Sequence, residues 1–155
     1  MSSTQDIDAG RTVDLTETAD LEALTRRFYD EVFVGGKLDL IDEFIHDDFV
    51  DHEEFPGLPP GKEGLRAFTT MMQEAFPDLS VTVNDIIVEG NKLVSRIRLS
   101  GTHSGEFMGI PPTGKTMDVQ AIDIMVFRDG KATDHWGVTD QMAMMQQLGV
   151  VEEPG

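Results

Sequence analysis

Leu21, Leu24, Phe28 and Val32 recur every three or four residues, the period of a helix that buries one face. Thr18 or Asp20 can cap its start, and Gly35-Gly36 stops it. Leu38, Ile41, Phe44 and Ile45 continue the period over a short second helix, and residues 49–52 read as a brief extended piece before the loop EEFPGLPPG. Leu65, Phe68, Met72, Ala75 and Phe76 form one stripe of a third helix, ended by Pro77. After that the period drops to two. Strands are predicted over 79–88, 93–100, 117–127 and 131–138, with turns at EGNK and Asp129-Gly130 and a Gly/Pro-rich loop, SGEFMGIPPTGK. Asp140 can cap a closing helix, QMAMMQQL, that Gly149 terminates. Helices first and strands afterwards predict an α+β domain with a curved antiparallel sheet.

Residues 1–19 are polar and aperiodic and read as a flexible arm, 20–149 as a single domain, and 150–155 as a tail. A chain of 155 residues can bury one core but hardly two. The net charge of −17 sets acidic residues against phosphate backbones and anionic lipid, so neither nucleic acid nor membrane is an expected partner. The charge excess lies mostly in the first sixty residues, and a salt-adapted host would also explain it. No apolar run approaches the ~18 residues of a span, and no secretory signal opens the chain. There is no cysteine, hence no disulfide or thiolate chemistry. A soluble cytoplasmic protein is the expectation.

One face of the long strand reads Met117, Val119, Ala121, Asp123, Met125, Phe127, five apolar residues and one carboxylate. A lone carboxylate on an apolar face suits general acid–base work at neutral pH. A buried Asp satisfied only by hydrogen bonds fits the same pattern. The turn decides what faces it. A two-residue Asp-Gly loop pairs Phe127 with Ala132 and so Asp123 with Trp136; a three-residue Arg-Asp-Gly loop pairs Phe127 with Lys131 and so Asp123 with His135. Both suit the residues. The four histidines, His46, His52, His103 and His135, show no compact ligand spacing, so neither metal nor cofactor is expected. His52 can face either a cavity or solvent, and His103, in GTHSG, suits the organising of its loop. Several methionines suit an adaptable apolar pocket.

Three segments, FYDEVFVGGKLDLIDEFIHDDFVDHE, GTHSGEFMGIPPTGK and IMVFRDGKATDHWGVTD with the following QQLG, resemble the SnoaL-like polyketide cyclase (ester cyclase) family in the family's order. The resemblance implies the cone-shaped α+β barrel of nuclear transport factor 2 and ketosteroid isomerase, around a deep apolar pocket, in a dimer or tetramer. It implies cofactor-independent abstraction of a proton α to a carbonyl and aldol ring closure, or isomerisation, of an apolar polyketide-like substrate. In this alignment the cyclases' acid/base Asp falls at Gly137, and a second pocket position falls at Asp123; the three-residue loop is the register it favours. On that basis Asp123 is the base, His135 orients it or protonates oxygen, and His52, Phe55, His103, Met125 and Trp136 bind substrate. The alternatives are a non-catalytic binding protein for a hydrophobic metabolite and an accessory to a separate oxygenase or reductase.

Overall fold

The computed structural model describes residues 4–8, 11–53 and 55–152. Strands β1 (Thr4–Asp8) and β2 (Arg11–Asp14) pair antiparallel as a ribbon inside the expected arm, separate from the main sheet. Helix α1 (Leu15–Arg27) begins earlier than the capping signals suggested. It runs on as a π-helical segment, Phe28–Val34, that ends at Gly35. Widening the helix there turns Tyr29, Val32 and Phe33 into the core together. A 3-10 turn (Leu38–Leu40) and a single turn of helix, α2 (Ile41–Phe44), stand where a short second helix was expected.

Strand β3 (Ile45–Asp51) is longer than the expected piece, and helix α3 (Gly61–Ala75) follows the loop. Helix α3 stops where Pro77 forbids continuation, with Met72 and Ala75 of its stripe fully buried. Strands β4 (Ser80–Glu89), β5 (Lys92–Thr102), β6 (Thr116–Arg128) and β7 (Lys131–Thr139) lie within two residues of their predicted bounds. Helix α4 (Gln141–Gln147) is capped as expected, Asp140 Oδ1 accepting the Ala143 N–H at 3.0 Å.

The five-stranded sheet has the order β3-β7-β6-β5-β4 and is curved but unclosed. It is not wholly antiparallel: β3 runs parallel to β7, because the chain returns to that edge only through β4–β6. The helices pack on the concave face over two apolar clusters. Met72, Phe76, Leu99 and Met117 centre one, and Val32, Ile41, Ile45 and Leu93 the other.

The β6–β7 hairpin departs from both expected registers. Its loop is the two-residue one, with Asp129 and Gly130 at φ 54° and 77°, the left-handed pair of a type I′ turn. Phe127 therefore faces Ala132. The register then shifts by one: Val126 pairs with Asp134, leaving Thr133 as a bulge, and Asp123 faces Gly137. A single extra residue moves every later side chain of β7 to the opposite face. Without it Trp136 would point inward. With it His135 does, and Trp136 is 42% exposed.

Candidate active site

The concave face and the helices enclose a cavity of about 590 Å³. Phe28, Phe33, Phe44, Phe55, Phe68 and Phe127 line much of it, and Phe68 stacks between Phe33 and Phe55 at centroid distances of 6.0 and 4.6 Å. The loop after β3, with Pro56, Pro59 and Pro60, forms part of the mouth. The charged wall is confined to one end, where Asp51, Glu53, Asp123 and His135 meet.

His135 is the centre of that end. Its Nδ1–H donates to Asp51 Oδ1 at 2.9 Å, and its Nε2–H donates to Asp123 Oδ1 at 2.8 Å. Three strands assemble the chain. The parallel β3–β7 register puts Asp51 beside His135. Asp123 lies diagonally across the β6–β7 ladder, its direct partner being Gly137, so the imidazole reaches over a residue without a side chain. Burial by itself would lower the pKa of His135. The hydrogen bonds and charges of Asp123 and Asp51 outweigh it and push the value up to about 10. The ring is an imidazolium at neutral pH, and no Lys or Arg lines the cavity among the described residues.

The second oxygen of Asp123 is engaged as well. Tyr29 O–H donates to Oδ2 at 2.9 Å and therefore accepts from the Ser95 hydroxyl at 2.8 Å. Burial first, then the Asp123 charge, holds the Tyr29 phenol well above its usual range, so it stays a donor. Ser95 is fully buried. Tyr29→Phe strands that hydroxyl and takes a donor from Asp123, so a loss of about 1–3 kcal/mol is expected in urea unfolding.

Glu53 follows Asp51 at strand spacing. Burial, outweighing the nearby His135 charge, raises its carboxyl above the ordinary range, and Asp123 and Asp51 push the same way. One atom each of Glu53, Asp123 and His135 lie within 4.8 Å of one another, a set with the composition of a metal site. Both ring nitrogens of His135 are committed to carboxylates, however, and a metal would have to displace a tightly held proton.

Of the residues singled out in the sequence, Asp123, His135, Phe55 and Met125 line the cavity. Three others lie elsewhere. His52 stacks on Trp136 at 4.2 Å outside the cavity and bonds Asp134 through Nε2 at 3.0 Å. His103 is fully buried, its Nδ1 bonded to the Thr113 hydroxyl at 3.0 Å, and it ties the ends of the loop together. Sequence reasoning missed Tyr29, Asp51, Glu53 and Ser95. Parity was the available signal for two of them: Phe49 is buried, so Asp51 shares its face, while Val50 and His52 point away.

Residues 23–148 match the SnoaL-like polyketide cyclase family, and the chain belongs to that family. It is 30% identical over 130 residues to the aklanonic acid methyl ester cyclase DnrD of Streptomyces peucetius, covering 81% of this chain and 88% of that one. It is 26% identical over 120 residues to the nogalonic acid methyl ester cyclase of Streptomyces nogalater, with 76% and 89% covered. Among solved structures, TsrD from Streptomyces laurentii superposes with a TM-score of 0.78 at 32% identity, over 86% of this chain and 97% of that one. The α+β class implied by the order of helices and strands is the fold these neighbours share.

Proposed function

We propose that this cyclase-family protein closes a ring in an apolar aromatic polyketide ester by cofactor-independent aldol chemistry. The observation that carries the proposal is the confinement of a carboxylate–imidazolium cluster to one end of an otherwise aromatic cavity. An aromatic substrate stacks among the phenylalanines with its acidic C–H at the charged end, and the cavity is within the ~300–1,000 Å³ usual for small-molecule sites. A carboxylate takes the proton α to a carbonyl, and the His135 charge opposes the charge that grows on the enolate. Attack on a second carbonyl makes the new C–C bond, and the resulting alkoxide regains the proton. Asp123 and His135 are the residues on which this chemistry depends.

Aklanonic acid methyl ester, which the Streptomyces peucetius relative is named for, is the substrate to test first. Incubation with purified protein and a chelator is expected to yield a product of unchanged mass and altered chromatographic retention. Substrate recovered unchanged, with nogalonic acid methyl ester inert as well, overturns the proposal. Gly137 supports a second reading, a metabolite-binding protein, because the family resemblance expects a carboxylate there. Tight binding without turnover is its signature.

The outer face of β6 and β7 suits a second copy of the chain. Ile122 pairs with Val138 and Ile124 with Trp136, and these four are 47%, 75%, 37% and 42% exposed. A dimer is expected in light scattering at micromolar concentration, with Val138→Glu monomeric. Among the described residues no helix is long and apolar enough to cross a membrane.

A further inference from the structure

The Glu53 backbone N–H donates to Asp51 Oδ1 at 3.0 Å, but its side chain has no place in the hydrogen-bonded chain at the charged end. Asp51 and Asp123 are each bonded to His135, whereas the Glu53 carboxylate accepts no hydrogen bond among the described residues. It nonetheless lies against the Asp123–His135 pair. Oε2 occupies the space in front of Gly137: a Cβ there would overlap Oε2 and stand 2.8 Å from Asp123 Oδ1 and 3.0 Å from His135 Cε1. The missing side chain of Gly137 is what lets a carboxylate from the β3–α3 loop sit against the pair. Glu53 also borders a shallower recess beside Gly137 and Val138, so it faces the main cavity on one side and an open surface on the other.

We propose that Glu53 is the group that takes the α-proton from the substrate and returns it to the new hydroxyl, beside the fixed frame of Asp51, His135 and Asp123; this rests on the cyclase reading above. Both oxygens of Asp123 already hold donors, one of them an imidazolium, and protonating Asp123 would break that ion pair. Protonating Glu53 breaks no hydrogen bond among the described residues. Burial of its carboxyl, which disfavours the charged form, works in the same direction. The C–H bond breaks, its electron pair stays on carbon as the enolate, and the proton passes to Glu53. The enolate carbon bonds to the acceptor carbonyl carbon, whose π pair becomes an alkoxide. Glu53 O–H then protonates that oxygen and is a carboxylate again, so no other reactant is consumed.

Exchange of the substrate α-proton separates this step from ring closure. The parent, Glu53→Gln and Asp123→Asn are incubated with aklanonic acid methyl ester in D₂O. Deuterium uptake and ring closure are followed by mass spectrometry, and affinity by equilibrium dialysis. Glu53→Gln is expected to lose roughly 10²–10⁴-fold in both rates, with affinity within threefold of the parent. Gly137→Ala, which keeps every ionisable group but takes the carboxylate's seat, is expected to lose at least tenfold. Exchange within threefold of the parent in a Glu53→Gln protein that binds normally overturns the proposal and leaves Asp123 as the base. A parent that exchanges without closing the ring overturns the cyclase reading alone, and Glu53 is then judged on exchange. A parent that does neither, with this ester or with nogalonic acid methyl ester, overturns both.

Discussion

Asp123→Asn is expected to lower turnover by roughly 10²–10⁴-fold with little change in KM, the contribution of a positioned proton-transfer or charge-stabilising group. The amide keeps the shape of the carboxylate, so the contacts to Tyr29 and His135, 2.9 and 2.8 Å in the parent, can re-form around it. What it removes is charge. Of the two hydrogen bonds that raise the His135 pKa, the one to Asp123 has the larger effect and the one to Asp51 the smaller. The His135 ring should then lose its proton at lower pH, which its NMR titration reads directly. A purely structural Asp123 would instead cost stability while leaving the activity of each folded molecule intact. Activity within threefold of the parent, with a true substrate, would end its part in the reaction.

The stability of the protein should fall as pH rises from about 6.5 towards 10. His135 goes from an ordinary 6.5 in the unfolded chain to about 10 in the fold, a raised value. Its contribution is therefore fully present below pH 6.5 and is lost as pH climbs through 10. The whole effect is at most ~5 kcal/mol, and with a side chain only 17% exposed little of it is screened by solvent. Glu53, whose pKa is also raised, adds a loss of the same sign that begins above 4.5. Urea unfolding at intervals between pH 6 and 10 measures the slope, and His135→Gln supplies the control. That variant should be about 3–5 kcal/mol less stable at pH 7, because Asp51 and Asp123 are left half-buried without their cation, and it should lack the alkaline slope. A parallel slope in parent and variant would show that His135 carries no such charge.

The periodicities carried most of the secondary structure because they report a local choice, which face of each element meets the core. The stripe of α3, the alternation along β4 to β7, the Asp140 cap and the Asp129-Gly130 turn could all be read along the chain, and so could the inward aim of Asp123. The site was legible only in part. The β6–β7 register turns on Thr133, a bulge residue with no sequence signature of its own, and that bulge exchanges Trp136 for His135 on the cavity face. The π-helical widening that delivers Tyr29 to Asp123, 94 positions away, breaks the 3.6 period on which the first helix was read. In the extended piece at 49–52 the sequence leaves the direction of His52 open, and it is the burial of Phe49 that sets Asp51 inward and His52 outward.

By itself, then, the sequence determined an acidic α+β chain with one carboxylate on an apolar strand face, since burial pattern, caps and turns depend on neighbours a few residues apart. Which groups that carboxylate meets was decided by tertiary structure alone. The parallel β3–β7 pairing joins Asp51 to a histidine 84 residues further on, and the empty space at Gly137 admits Glu53 from a loop. Contacts at such separations are selected by the packing of the whole sheet and leave no mark on the local pattern of either segment.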